Sequence, residues 1–357
     1  MAKIIFLINR ISEAGGSERV ATVLANNLVK IGHEVSFVSW IGPKECFFDL
    51  DKSIVIHNLY DHQINIFKSY LPSLIKYRKI INSIKPDKVI DVCTAMSLLS
   101  IPATLFSKSK VITWEHFNTS VNWNFLTARL SRFLAAQFSY KVVTLTDTDK
   151  KNYENKFFAK NGITISNPIT VTIGEDEKAD LRARRVLAIG RLTDQKGFDL
   201  LLRAWRIVCD YEKEWVLTIV GDGELKDELI ALAGSLKLEK NLIFEKPTNN
   251  ISQYYKISSI YVMSSRFEGL PLVLIEAKSF GLPIISFDCK TGPREIVRHN
   301  IDGVLVPPED IDLLAKALLD LMLDIEKRKI YSDKSSEDVS RFSVSSFVNK
   351  WQGIINL

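Results

Sequence analysis

The sequence predicts an α/β chain made of two doubly wound parallel-sheet domains. Short apolar runs, of the kind buried on both faces of a parallel sheet, alternate with helical stretches along most of its 357 residues. Glycine or proline marks the turn after several of these strands. The alternation stops once, near Asn167-Pro168, where a charged stretch at 174–180 (GEDEKAD) reads as a linker. A hydrophobic share of 46% and a charged share of 25% are ordinary for a globular chain, and the length suits two cores. The domains are expected at 1–170 and 171–335, with 336–357 returning to pack on the first.

Composition excludes several classes. The opening MAKIIFLINRISEAGG has too short an apolar run for a signal peptide, and no stretch approaches the roughly 18 apolar residues of a membrane span. A cytoplasmic protein is expected. Cys46, Cys93, Cys209 and Cys289 are scattered without a Cys-x-x-Cys pair, which implies reduced thiols and neither a zinc site nor a disulfide framework. The net charge of +5 is uneven: residues 1–170 hold 21 Lys and Arg against 13 Asp and Glu, so the basic half is the first.

In that half, 3–9 (KIIFLIN) is a strand, followed by a turn with Gly15-Gly16 and a helix over 17–30 capped by Ser17 and ended by Gly32. Such an opening either closes a tight turn or brings backbone against a phosphate. It is not the dinucleotide fingerprint, because G-x-G-x-x-G is absent and the next strand, 35–40, ends without a ribose-binding acid. Residues 61–87 mix Lys68, Lys76, Arg78, Lys79 and Lys85 with Phe67, Tyr70, Leu71, Leu74, Ile75 and Ile80, which suits a solvated helix or an anionic membrane surface. No nucleic-acid reader motif accompanies them, and no nucleic acid is expected as a partner. Strands follow at 88–92 and 111–114, the second leading into Glu115-His116-Phe117-Asn118. A histidine past a strand end, beside an acid, either packs or orients and polarises a substrate. A helix over 125–138 is expected to expose Arg129 and Arg132. After the strand 141–145, Thr146 or Asp147 as a helix cap explains Asp147-Thr148-Asp149 better than a metal does.

The second half repeats the scheme. Strand 185–189 leads through Gly190-Arg191-Leu192-Thr193-Asp194-Gln195-Lys196-Gly197 to a helix over 198–209. Arg191 and Lys196 are either solvated loop cations or a diphosphate clamp, one binding bidentately and the other as a point charge. Strand 215–220 ends in Gly221-Asp222-Gly223, and 242–244 leads to Lys246-Pro247-Thr248, where a base could dock against backbone. Later come Thr291-Gly292-Pro293-Arg294-Glu295, 300–308 (NIDGVLVPP) and a helix over 311–325. The apolar segment 343–355 is fit to pack back on the first domain.

The stretch 261–296 organises this half. Strand 260–263 enters a loop, 264–270, with Pro271 at the first position of a helix over 272–280 that Gly281 stops. Gly269, Leu270 and Leu272 put helix-start amides beside Glu268, which suits an anionic, polyhydroxylated ligand. On one helix, Glu268 and Glu276 would stand about 12 Å apart, beyond the roughly 5–9.5 Å between glycosidase carboxylates. Two contacts along one extended ligand remain, as does the plain alternative of a helix cap at Glu268 and a solvated Glu276.

GGSERV, AIGRLTDQKGFDLLLRAW, VGDGEL, SRFEGLPLVLIEAKSFGLPII and NIDGVLVP, in this order, resemble the retaining family 4 glycosyltransferases of the GT-B fold, and the match covers nearly the whole chain. WEHFN with GGSER is most similar to a bacterial branch that builds exopolysaccharide, capsule or O-antigen and includes galactosyl- and N-acetylgalactosaminyltransferases. The resemblance implies two Rossmann-like domains facing across a cleft, acceptor in the first and nucleotide sugar in the second. It implies that Glu276 binds the ribose, that Glu268 and the amides after it hold the transferred sugar, and that Arg191 and Lys196 clamp the diphosphate. Gly15 and Gly16 then let the first domain approach that phosphate, His116 lies near the sugar, and Gly221 and Pro247 line the donor site. Pro293 and Arg294 depart from the Gly-Gly-x-x-Glu of many relatives.

The implied reaction is metal-free, retaining transfer from a nucleotide diphosphate sugar, with a UDP-sugar favoured, to a lipid-linked or oligosaccharide acceptor. No further cofactor is implied, and the enzyme would sit peripherally on the inner face of the cytoplasmic membrane. A nucleotide-sugar 2-epimerase of the same architecture, or a non-catalytic nucleotide-binding protein at the membrane, are the other readings.

Overall fold

Apolar runs too short for helices and too continuous for half-exposed strands form two all-parallel sheets in a computed structural model that describes residues 1–119, 124–171, 174, 178–248 and 250–357. The chain divides into two units, Met1–Thr170 with Val344–Leu357, and Val171–Ser343. Part of the charged stretch 174–180 lies outside the described residues.

The first unit runs β1 (Lys3–Ile8), α1 (Gly16–Lys30), β2 (Glu34–Ile41), β3 (Val55–Tyr60), α2 (Tyr70–Ile84), β4 (Lys88–Val92), α3 (Ser97–Thr104), β5 (Lys110–Glu115), α4 (Leu126–Phe138), β6 (Lys141–Thr144), α5 (Asp147–Phe157) and β7 (Gly162–Thr164). Among the described residues its sheet has the order β3-β2-β1-β4-β5-β6-β7. The second unit runs β8 (Arg185–Ile189), α6 (Phe198–Tyr211), β9 (Val216–Val220), α7 (Lys226–Ser235), β10 (Leu242–Glu245), α8 (Ser252–Lys256), β11 (Ile260–Met263), α9 (Leu272–Ser279), β12 (Ile284–Phe287), α10 (Pro293–Ile296), β13 (Gly303–Val306), α11 (Ile311–Leu323) and α12 (Ile325–Asp338), and α13 (Val344–Ile355) closes the chain. Its sheet order is β10-β9-β8-β11-β12-β13.

Each order reverses direction once, between β1 and β4 and between β8 and β11. At such a switch point the connections leave in opposite directions, so a crevice opens at the strands' carboxyl ends. The loops after β8 and β11, some 70 residues apart in sequence, are thereby made neighbours. In the second unit Trp205, Leu201, Val262 and Leu318 fill the core; in the first, Leu7, Val38, Tyr77 and Val89 do.

Several local expectations change. Gly15, not Ser17, caps α1; Ser17 lies inside the first turn and donates to Glu18 Oε2 at 2.9 Å. Pro271 is the cap of α9 rather than its first residue. The helix expected over 311–325 ends at Leu323, where Asp324 caps a further helix by accepting from Lys327 N at 2.8 Å. Because that helix extends to Asp338, the segment that joins the first unit begins at Val344 and not at residue 336. Trp351 of α13 packs on Trp114 with ring centroids 4.7 Å apart. Among the described residues no helix is long and apolar enough to cross a membrane.

Candidate functional site

Two loops of the second unit interlock at the switch point. Gly197 follows β8 with φ +61, and a Cβ there would strike Ser264 O, so only glycine lets the backbones meet. Ser264 Oγ donates to Lys196 O at 3.0 Å, Arg266 N to Gln195 O at 2.8 Å and Gln195 Nε2 to Phe267 O at 3.0 Å. Arg266 forks onto the Asp199 carboxylate at 2.9 and 2.8 Å, and the pair depresses the Asp199 pKa.

The result is a direct contact between two predicted site residues. Lys196 Nζ stands 2.6 Å from Glu268 Oε1, with side-chain exposures of 17% and 7%. Glu268 therefore does not cap α9. Its carbonyl accepts from Thr291 Oγ1 at 2.6 Å, so the Thr291-Gly292-Pro293 loop braces the same corner. Glu276 is not solvated either: it is 3% exposed and accepts from Tyr255 OH at 2.9 Å. Tyr255 stacks on Phe280 at 5.1 Å, which fixes its hydroxyl.

Gly221, after β9, donates to Glu245 O at 2.9 Å and presses so closely on Gly190 O that a side chain would clash. Arg191 is exposed; its carbonyl accepts from Thr193 N at 2.8 Å, and among the described residues its side chain has no hydrogen-bond or ion-pair partner. Pro247 is exposed beyond β10 at the same sheet edge. Leu270 is buried, while Gly269 and Leu272 are half-buried at the start of α9, whose first amides cannot be satisfied within the helix. Lys196, Glu268 and Glu276 are thus gathered at one edge, with Arg191 left open to solvent.

In the first unit, Gly15 and Gly16 begin α1 as expected of a glycine turn, and the Glu18 carboxylate folds back over Gly15. His116 follows β5 with its ring 4.3 Å from Trp114. Its Nε2 is buried without a hydrogen-bond partner among the described residues, and burial pushes its pKa down to about 3. The adjacent acid does not serve it. Glu115 accepts from Arg132 Nε and from Tyr153 OH, both at 2.9 Å.

Arg132, expected to be exposed, is buried for this reason, whereas Arg129 is exposed. A signal was present: Ser131, Ala135 and Ala136 share the helix face of Arg132, and small residues mark a face packed closely. Tyr153 and Tyr255 carried no comparable signal. Thr146 caps α5 by accepting from Asp149 N at 3.0 Å. Cys93, just after β4, has φ 96 and ψ 135, a strained backbone for a side-chain-bearing residue and of the kind that collects at functional edges.

The family model for glycosyl transferases group 1 matches residues 172–338. An uncharacterised glycosyltransferase of Haemophilus influenzae is 37% identical over 99% of this chain and 100% of its own length. The amylovoran biosynthesis glycosyltransferase AmsD of Erwinia amylovora is 34% identical over the full length of both chains. A Campylobacter jejuni α-1,4-N-acetyl-D-galactosaminyltransferase, named for a diphosphoundecaprenol-linked saccharide, is 28% identical over 99% of this chain and 98% of its own. Among solved structures, a TarM variant of S. aureus in complex with fondaparinux, α-GlcNAc-glycerol and UDP superposes with a TM-score of 0.85 at 14% identity, covering 100% of both chains. That likeness establishes the fold.

Proposed function

The chain belongs to the glycosyl transferases group 1 family, and from that premise we propose that it is a retaining enzyme taking a hexose or N-acetylhexosamine from a UDP-sugar. The acceptor is a lipid-linked or oligosaccharide chain in bacterial surface polysaccharide synthesis, as the names of the Erwinia and Campylobacter relatives suggest. The observation that carries this is the Lys196–Glu268 contact at the switch point, with Glu276 buried on α9, the helix that follows the Glu268 loop. A half-buried ammonium beside a carboxylate offers a charge for a diphosphate and an acceptor for sugar hydroxyls within one hydrogen-bond length. UDP in the TarM complex supports the choice of nucleotide.

The donor would enter with its diphosphate between Lys196 and Arg191 and its sugar along Glu268 and the first turn of α9, while Glu276 takes the ribose. Lys196, Arg191 and the helix start stabilise charge on the leaving diphosphate without a metal. Both glutamates are already engaged, Glu268 by Lys196 and Glu276 by Tyr255, so neither is poised as a covalent nucleophile. This favours attack on the face the diphosphate leaves. His116, with a pKa of about 3, is a neutral hydrogen-bond partner and a poor base, so a diphosphate oxygen takes the acceptor's proton.

The first unit would meet an anionic membrane. Leu71 and Ile75 are exposed along α2 near Lys79, with Phe67 and Lys68 just before it, and Leu126, Leu130 and Phe133 are exposed along α4 with Arg129. Apolar residues flanked by cations suit a peripheral surface contact.

A panel of UDP- and GDP-sugars scored by nucleotide release tests the reading. UDP release is expected to fall at least tenfold in Arg191→Ala and more in Lys196→Ala; turnover within a few-fold of wild type in both would sink it.

A further inference from the structure

The loop 116–119, which carries His116, follows Glu115, the last residue of β5, and is held by side chains. Glu115 Oε1 accepts from Phe117 N at 3.2 Å, and Oε2 accepts from both Arg132 Nε and Tyr153 OH at 2.9 Å. The same guanidinium reaches past Glu115: Nη1 donates to Thr119 O at 3.1 Å and Nη2 to Asn118 O at 3.3 Å. Asp149 Oδ1 closes the far end, accepting from Thr119 N at 3.0 Å and from Thr119 Oγ1 at 2.9 Å.

Three consecutive residues after His116 are thus fixed, Phe117 by Glu115 at the end of β5 and Asn118 and Thr119 by α4 and α5. A planar fork with five donors can serve a carboxylate and two carbonyls at once, which an ammonium cannot do in one geometry. The Arg132 and Glu115 side chains are only 6% and 1% exposed, so these bonds act in a low dielectric where they are stiff.

We infer that Arg132, with Glu115 and Tyr153, is the positioning residue that sets where His116 stands for transfer. The inference rests on the role proposed for His116. Arg132 itself touches no reacting atom; its effect passes through the carbonyls of Asn118 and Thr119.

The test separates placement from folding and from donor binding. Arg132→Lys keeps the charge and loses the fork, and Tyr153→Phe removes one bond to Glu115. Three readouts are taken: the thermal melt, amide hydrogen exchange over residues 115–119, and calorimetric binding of UDP with UDP release from UDP-galactose and UDP-N-acetylgalactosamine. Both variants are expected to melt cooperatively and bind UDP as wild type. Exchange at Phe117 and Thr119 should quicken at least tenfold in Arg132→Lys, and UDP release should fall about tenfold. Adding His116→Ala to Arg132→Lys should then cost much less than it does in the wild type.

Unchanged exchange in the folded variants overturns the inference, and so does quickened exchange with wild-type UDP release. Should Arg132→Lys fail to fold, Tyr153→Phe decides by the same readouts. If the wild type binds no UDP, the donor assignment fails separately, and the exchange measurement alone decides whether Arg132 holds the loop.

Discussion

Lys196 with Glu268 in the second unit and Arg132 with Glu115 in the first are both cation–carboxylate pairs at the carboxyl edge of a parallel sheet, and they are built for opposite purposes. The first joins two loops by one contact, keeps 17% of the lysine side chain exposed, and uses a flexible ammonium. The second is almost dry and spends its guanidinium on a carboxylate and two carbonyls. A pair with one contact can exchange its partner for a ligand, whereas a forked, buried pair loses too much on opening. A pair open to a ligand and a pair that braces a loop are therefore told apart by geometry when residue type does not distinguish them.

The comparison breaks most readily at Arg132. Arg132→Met leaves a buried Glu115 without its cation and should cost about 3–5 kcal/mol of folding stability, read from urea unfolding. A loss below about 1 kcal/mol would erase the distinction between the two pairs. Lys196→Ala should behave in the reverse way, with little change in melting and a fall in donor turnover of about 10²–10³ fold, the usual effect of removing one preorganised charge partner of the transition state.

A pH measurement sharpens the contrast further. Asp91, on β4, accepts from Ser100 Oγ at 2.6 Å and from Thr113 Oγ1 of β5 at 3.2 Å, and burial raises its pKa from 3.8 to about 8. The fold thus holds a proton that the unfolded chain releases above 3.8. The stability this contributes is fully present below 3.8 and is lost as pH rises toward about 8, at a slope on the order of 1 kcal/mol per pH unit. Asp91→Asn should flatten the dependence; an unchanged slope between pH 5 and 7.5 would assign it elsewhere. The smallest expected effect is Tyr255→Phe, which removes one bond to Glu276 and should weaken UDP binding by about 1–3 kcal/mol, measured by calorimetry against an unchanged melt.

Much of the second unit's edge is legible in the sequence. Glycines at 190, 197 and 221, cations at 191 and 196 and the Glu268-Gly269-Leu270-Pro271 junction are local features, each tied to a turn or a helix start within a few residues. The first unit is legible as strands and helices, but the acid beside His116 is not the histidine's partner that its place in the chain suggests. Adjacent residues leaving a strand point to opposite sides, so Glu115 turns inward to Arg132 while His116 turns toward Trp114.

Two parallel sheets, the rough place where the chain passes between units, and the loops that carry the charged and glycine residues all follow from local sequence, because apolar period and turn chemistry act over short distances. Which charges meet follows only from the assembled fold. The contact of Lys196 with Glu268 exists because strand order makes β8 and β11 neighbours, and the burial of Arg132 exists because α4 and α5 close over β5. Both depend on residues far apart in the chain, whose pairing is set by how strands are ordered and helices are stacked, and no window of local sequence contains that information.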